Sequence, residues 1–248
     1  MPKILDSIFH NPDLNGLISP GFLPLLFAFY KMTDSYHTIA APATGEFKDR
    51  GSKFFGYAYP VRTEEEALMC LELLRKEHFK ARHHCFAWRF GTDGSRFRAN
   101  DDGEPSGTAG RPMLGQIDTF GLTDVCIVVV RYFGGTLLGA SGLIHAYREA
   151  AADALRNAVI IEKIIKDHFT LDFDYALMPD VMNGVKKLDL EIISQTFGDR
   201  GVLEIGIRQT ETDEQMLKLK SLIWKVSTDE AATLDWPAGL VCTLLTSF

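Results

Sequence analysis

The chain has few cysteines, no surplus of positive charge and no unbroken hydrophobic run long enough to cross a membrane. Each shortage removes a class of function. Its four cysteines, Cys70, Cys85, Cys126 and Cys242, are far apart and never in C-x-x-C spacing, so neither a zinc site nor a disulfide framework is expected. Three of them sit inside apolar runs and read as buried reduced thiols, as in a cytoplasmic protein. Lysine and arginine number 26 against 33 acidic residues, a net charge of −7. That balance excludes a globally basic nucleic-acid binder and any expectation of DNA sequence readout, but it leaves room for a local basic patch. Leu17 to Tyr30 is strongly apolar, yet Pro20, Gly21 and Pro24 interrupt it, and a spanning helix needs about 20 apolar residues. No membrane partner is expected. H-E-x-x-H and Gly-Lys-Ser/Thr motifs are both missing, so a metallopeptidase and a Walker A nucleotide site are set aside, and no metal or cofactor is expected.

Residues 1–31 also lack a signal-peptide character, since Asp6 and Asp13 accompany a single Lys3. Met32-Thr33-Asp34-Ser35-Tyr36 reads as a natural start. We expect residues 1–31 to be an extension or a mis-called start, with an ordered extra segment or a weak membrane anchor as alternatives.

What remains is an ordinary globular composition, 46% apolar and 24% charged, in a chain long enough for one large or two small domains. Residues 36–41 and 53–61 read as strands around a charged turn at 46–51. Thr63 with Glu66 makes a capping box, and Ala67, Leu68, Leu71 and Leu74 give the following helix an apolar face. Cys85 to Phe90 and Arg96 to Ala99 read as a hairpin around Gly91-Thr92-Asp93-Gly94. Arg111 to Thr119 reads as a short helix. Val125 to Val130, six apolar residues in a row, reads as a strand buried on both faces. A helix is expected over about 141–157. After Val159, strand and helix patterns alternate as β-α-β-β-α-β, the ferredoxin-like order. The expected architecture is α+β in two domains, 32–160 and 161–248, with the boundary near 159–166.

The chemistry-bearing residues gather around the buried strand. It runs into Arg131-Tyr132-Phe133-Gly134-Gly135, and Gly139-Ala140-Ser141-Gly142 opens the next helix. Arginine offers donors suited to phosphate, and an aromatic ring stacks a base, so this junction is a candidate RNA or protein contact. The bland reading puts Phe133 in the core, pairs Arg131 with a carboxylate and leaves the glycines to the turn. Gly139, Ser141 and Gly142 open a helix as an anion cradle would, or Ser141 is only its N-cap. Asp101, Asp102 and Glu104, beside Ser106 and Thr108, form the best enzyme-like cluster, able in principle to hold a divalent cation or do acid–base work. Against that, loop carboxylates are usually solvated and Thr108 would serve as a helix cap. Arg82, His83, His84, Arg96 and Arg98, with Lys80 and Arg89 nearby, make the one dense basic patch. Alternation along a strand would split it between two faces.

Several of these segments, in order, resemble the IMPACT family, including the bacterial YigZ proteins. They are Tyr36-His37-Thr38-Ile39, Lys53-Phe54, Ala81-Arg82-His83-His84-Cys85, Asp101 to Pro112, and Gly121 followed by the apolar strand, Arg131-Tyr132-Phe133-Gly134-Gly135 and Leu138-Gly139. The similarity covers about residues 35–157; the C-terminal unit resembles the family's second domain by pattern more than by motif. The resemblance implies an N-terminal domain like the second domain of a small-subunit ribosomal protein and a C-terminal domain like domain V of elongation factor G. It also implies a role in translational control through a partner, with RNA, the ribosome or a translation factor as the expected partner, and binding rather than catalysis. The extra N-terminal partner-binding domain of the eukaryotic members has no counterpart in this sequence. The rival expectation is an enzyme handling a nucleotide or phosphorylated small molecule, with Ser141 and Gly142 on phosphate and Asp101 and Asp102 on a cation. Nothing in the sequence sets the oligomeric state.

Overall fold

The computed structural model describes residues 34–245; the expectation for residues 1–31 lies outside them. The described chain is mixed α/β and divides into two compact units, one of Ser35–Ile164 and one of Asp34 with the residues from Ile165 onward.

In the first unit, a five-stranded antiparallel sheet is built from β2 (Ala43–Asp49), β3 (Ser52–Pro60), β4 (His83–Phe90), β5 (Arg96–Asn100) and β6 (Val125–Tyr132), in the order β2-β3-β6-β4-β5. β6 holds the centre because its run of valines and isoleucine has no polar face to offer water; Val125 to Val130 are all fully buried. Its alternate residues serve two cores. Val125, Ile127 and Val129 pack with α2 (Gly110–Thr119) and α3 (Gly139–Arg156). Cys126, Val128 and Val130 pack with α1 (Glu64–Glu77). The Thr63/Glu66 capping box starts α1, with both reciprocal hydrogen bonds present. α3 lies so close to β3 that a Cβ on Gly56 would stand 2.4 Å from the Ala150 carbonyl oxygen. Only glycine allows that approach.

Two strands, β2 and β7 (Ile160–Ile164), escape the sequence reading. β2 occupies part of the expected charged turn, because its charged residues point outward from an edge strand while Phe47 packs on the core. β1 (Ser35–Ile39) and β7 pair with each other in a separate two-stranded sheet, a long-range pairing that local pattern does not reveal. α3 starts two residues earlier than expected. Its N-cap position is Leu138, with no side-chain cap, so Ser141 lies inside the first turn rather than capping it. Thr108 does not cap α2 either; its hydroxyl donates to the Pro105 carbonyl at 2.6 Å.

The second unit has a four-stranded antiparallel sheet of β8 (Lys166–Phe173), β9 (Glu191–Phe197), β10 (Gly201–Arg208) and β11 (Leu240–Leu245), in the order β11-β8-β10-β9. α4 (Met178–Lys187) and α5 (Thr212–Trp224) cover one face through Val181, Val185, Leu219 and Ile223 against Leu171, Phe173, Leu203 and Ile205. A short helix, α6 (Thr228–Thr233), follows α5.

Candidate functional site

The end of β6 and the start of α3 enclose a cleft of about 850 Å³. Lys80, Arg82 and His83 approach it from the start of β4, Glu104 and Pro105 from the acidic loop, and Arg131 to Phe133 from β6. Leu137, Leu138, Gly139, Ala140 and Leu143 close it from the junction and from α3. The junction reaches this place because Gly134 lies directly on the β2–β3 turn. A Cβ on Gly134 would meet the Gly51 carbonyl carbon at 1.9 Å, and its N–H donates to Ser52 Oγ at 3.1 Å. Gly135 and Gly139 have φ of +86° and +71°, the left-handed region that other residues avoid.

Period-two alternation separates the neighbours that the sequence grouped together. Arg131 continues the α3 side of β6 and Tyr132 the α1 side, so the two side chains do not share one contact surface. Arg131 is 6% exposed. Its Nη1 donates to Glu104 Oε1 at 2.6 Å, and the same oxygen accepts from Tyr147 Oη at 2.8 Å. This is the bland reading of Arg131, a buried arginine spent on a carboxylate; its Nε finds no partner. Burial pushes the Tyr147 hydroxyl far above its ordinary pKa, with the Cys85 thiol and the Glu104 carboxylate adding to the effect. Tyr132 accepts from or donates to His78 Nδ1 at 3.0 Å, and His78 Nε2 meets the Tyr57 hydroxyl at 2.6 Å. Phe133, expected in the core on the bland reading, is 57% exposed, because the junction turns outward immediately after β6.

The acidic loop is committed to its own backbone. Asp101 accepts from the N–H groups of Ala109 at 3.0 Å, Gly110 at 2.8 Å and Gly107 at 2.7 Å. Burial works to raise its carboxyl pKa, but those three donors outweigh it and hold the group below its usual range. Asp102 accepts from the His84 N–H at 2.7 Å and lies 3.4 Å from Arg75. Glu104 is the buried partner of Arg131. The three carboxylates therefore face three separate sets of donors instead of converging, and no cluster of three potential metal ligands occurs among the described residues. Ser106 is exposed and Thr108 buried.

The basic patch divides as well. His83 faces the cleft; its Nδ1 donates to the Asp102 carbonyl at 2.9 Å, which leaves Nε2 as the free ring nitrogen. His84 points to the other side of the sheet, where burial lowers its pKa and its Nε2 has no partner. Arg96 and Arg98 belong to the edge strand β5 and do not line the cleft. Arg98 is taken by an ion pair with Glu64 and lies over the Phe86 ring. Lys80 and Arg82 are exposed at the cleft and in no ion pair among the described residues. Gly139 and Ala140 belong to the lining, whereas Ser141 and Gly142 do not. The sequence reading missed Leu137, Leu138 and Ala140, whose apolar side chains carry no chemical signal of their own.

The Impact N-terminal domain family matches residues 50–155. The chain is 34% identical to the IMPACT family member YigZ of Escherichia coli (strain K12) over 188 residues, 75% of this chain and 92% of that protein. The chain belongs to the IMPACT family. Its similarity to another family member, YvyE of Bacillus subtilis (strain 168), is 33% identity over 73% of this chain and 84% of that one. A crystal structure described as that of a hypothetical protein, 33% identical, covers 77% of this chain and 93% of its own, with a TM-score of 0.61. This IMPACT-family chain has no described helix long and apolar enough to cross a membrane.

Proposed function

We propose that this protein is a translation-linked binding protein that contacts RNA of the translation machinery through the cleft of its first unit. The observation that carries the reading is the meeting of two cations, Lys80 and Arg82, that are in no ion pair among the described residues, with the exposed ring of Phe133 around one cavity. Cations attract the phosphate backbone and a ring stacks a base. Family membership supports the link to translation, which the resemblance implies for eukaryotic relatives. The strand order of the second unit fits a ferredoxin-like reading and thus the likeness to domain V of elongation factor G. The first unit, a sheet between α1 and the α2–α3 pair, is read as the ribosomal-protein-like domain. The enzyme alternative loses support because Asp101 and Asp102 are already occupied by backbone N–H groups.

Sedimentation with purified ribosomes at low and moderate salt tests this. Salt-sensitive co-sedimentation, lost in a Lys80→Ala/Arg82→Ala variant of unchanged stability, is the expected result. Absence of co-sedimentation at either salt overturns it.

A further inference from the structure

The cleft is more selective than a surface that tracks an RNA backbone. Its volume, about 850 Å³, is that of a small-molecule pocket and suits one or two nucleotides, not a duplex. Its charge is equally specific. Arg131 and Glu104 cancel as a buried pair, and His83 is left with Nε2 free. Lys80 and Arg82 then leave the lining with two uncompensated positive charges. In the same lining α3 begins with no side-chain cap and no acidic residue in its first turn. The amides of Gly139 and Ala140 are therefore without a side-chain acceptor at the positive end of an 18-residue helix. The Arg131 guanidinium also lines the cleft, more than nine-tenths buried, and its Nε, itself buried, has no acceptor.

We infer that the cleft receives a terminal phosphate monoester of a nucleotide, held by Lys80, Arg82 and the first amides of α3, with the base against Phe133. A monoester brings three acceptor oxygens and a charge of about −1.5 to −2, matching the two free cations. An internal phosphodiester brings two free oxygens and a single charge, and would leave part of that donor set unused. Phe133, at 57% exposure, stands beside the cationic wall as a stacking surface, and the Arg131 guanidinium lies 5.6 Å from its ring centre, holding it in place. The inference rests on the RNA reading and narrows it to a strand end; a free nucleotide has the same chemistry.

The test uses the full chain and a fluorescent hexauridylate with a 5′-phosphate, a 3′-phosphate or hydroxyls at both ends, read by anisotropy, with uridine monophosphate as competitor. One phosphorylated form should bind about tenfold more tightly than the hydroxyl form, the value of one added charged contact. That advantage should vanish in Lys80→Ala/Arg82→Ala and in Phe133→Ala should shrink without vanishing. Competition by uridine monophosphate at equal concentration identifies a free nucleotide as sufficient; lack of competition identifies the RNA end. Equal binding of all three forms overturns the terminal-phosphate inference and leaves the RNA reading standing. Phosphate-dependent binding without ribosome co-sedimentation does the reverse: it keeps the site and removes the translation reading.

Discussion

The acidic loop from Asp101 to Ala109 and the cationic rim of the cleft invite a comparison. The loop has the denser set of reactive side chains, and nearly every one is spent. Asp101 holds three backbone N–H groups, Asp102 anchors the start of β4, and Glu104 neutralises Arg131. The rim is chemically plainer, with Lys80, Arg82, Phe133 and Leu137, and its two cations are in no ion pair among the described residues. A motif rich in charged residues can thus mark where the backbone needs support, while binding falls to ordinary residues that have nothing else to do.

Removing a support from the loop should cost far more stability than stripping the rim. Glu104→Ala leaves the Arg131 guanidinium buried and unpaired, a loss of about 3–5 kcal/mol in urea denaturation. Gly134→Ala forces a methyl into the Gly51 backbone, which should cost about 1–3 kcal/mol. Asp101→Ala strands three N–H groups and should cost about 1–3 kcal/mol near neutral pH. That last loss has a direction in pH. The backbone donors hold the folded carboxyl below the ordinary aspartate value, so Asp101 contributes fully above that value and less as pH falls through the folded pKa. The gap between wild type and Asp101→Ala should therefore narrow below about pH 4; a gap that widens there would mean that Asp101 is not held by those donors. At the small end, Lys80→Ala/Arg82→Ala should change stability by no more than about 0.5 kcal/mol while weakening RNA binding.

Much of this layout was legible in the sequence. The capping box, the apolar central strand and the hairpin at Gly91 to Gly94 all lie where local pattern put them, because each depends on contacts within a few residues. The split between Arg131 and Tyr132 was legible too, since a strand alternates its faces, but treating the signature as one group concealed it. β1 was legible as a strand, but β7 and the pairing between the two were not, since the partners are more than a hundred residues apart. Nor were Leu137 and Ala140, which matter only because Gly134 folds the junction onto the β2–β3 turn. The occupation of Asp101 depends on a loop conformation in which Asp102, Gly103 and Gly107 take positive φ, and such a conformation leaves only a faint trace in composition.

The most direct test of the central claim is the salt dependence of hexauridylate binding by the wild-type chain and by Lys80→Ala/Arg82→Ala. Each cation that meets a phosphate on a single strand contributes about 0.7 to the slope of log K against log salt. The account predicts a slope about 1.4 shallower in the double variant; an unchanged slope would contradict it.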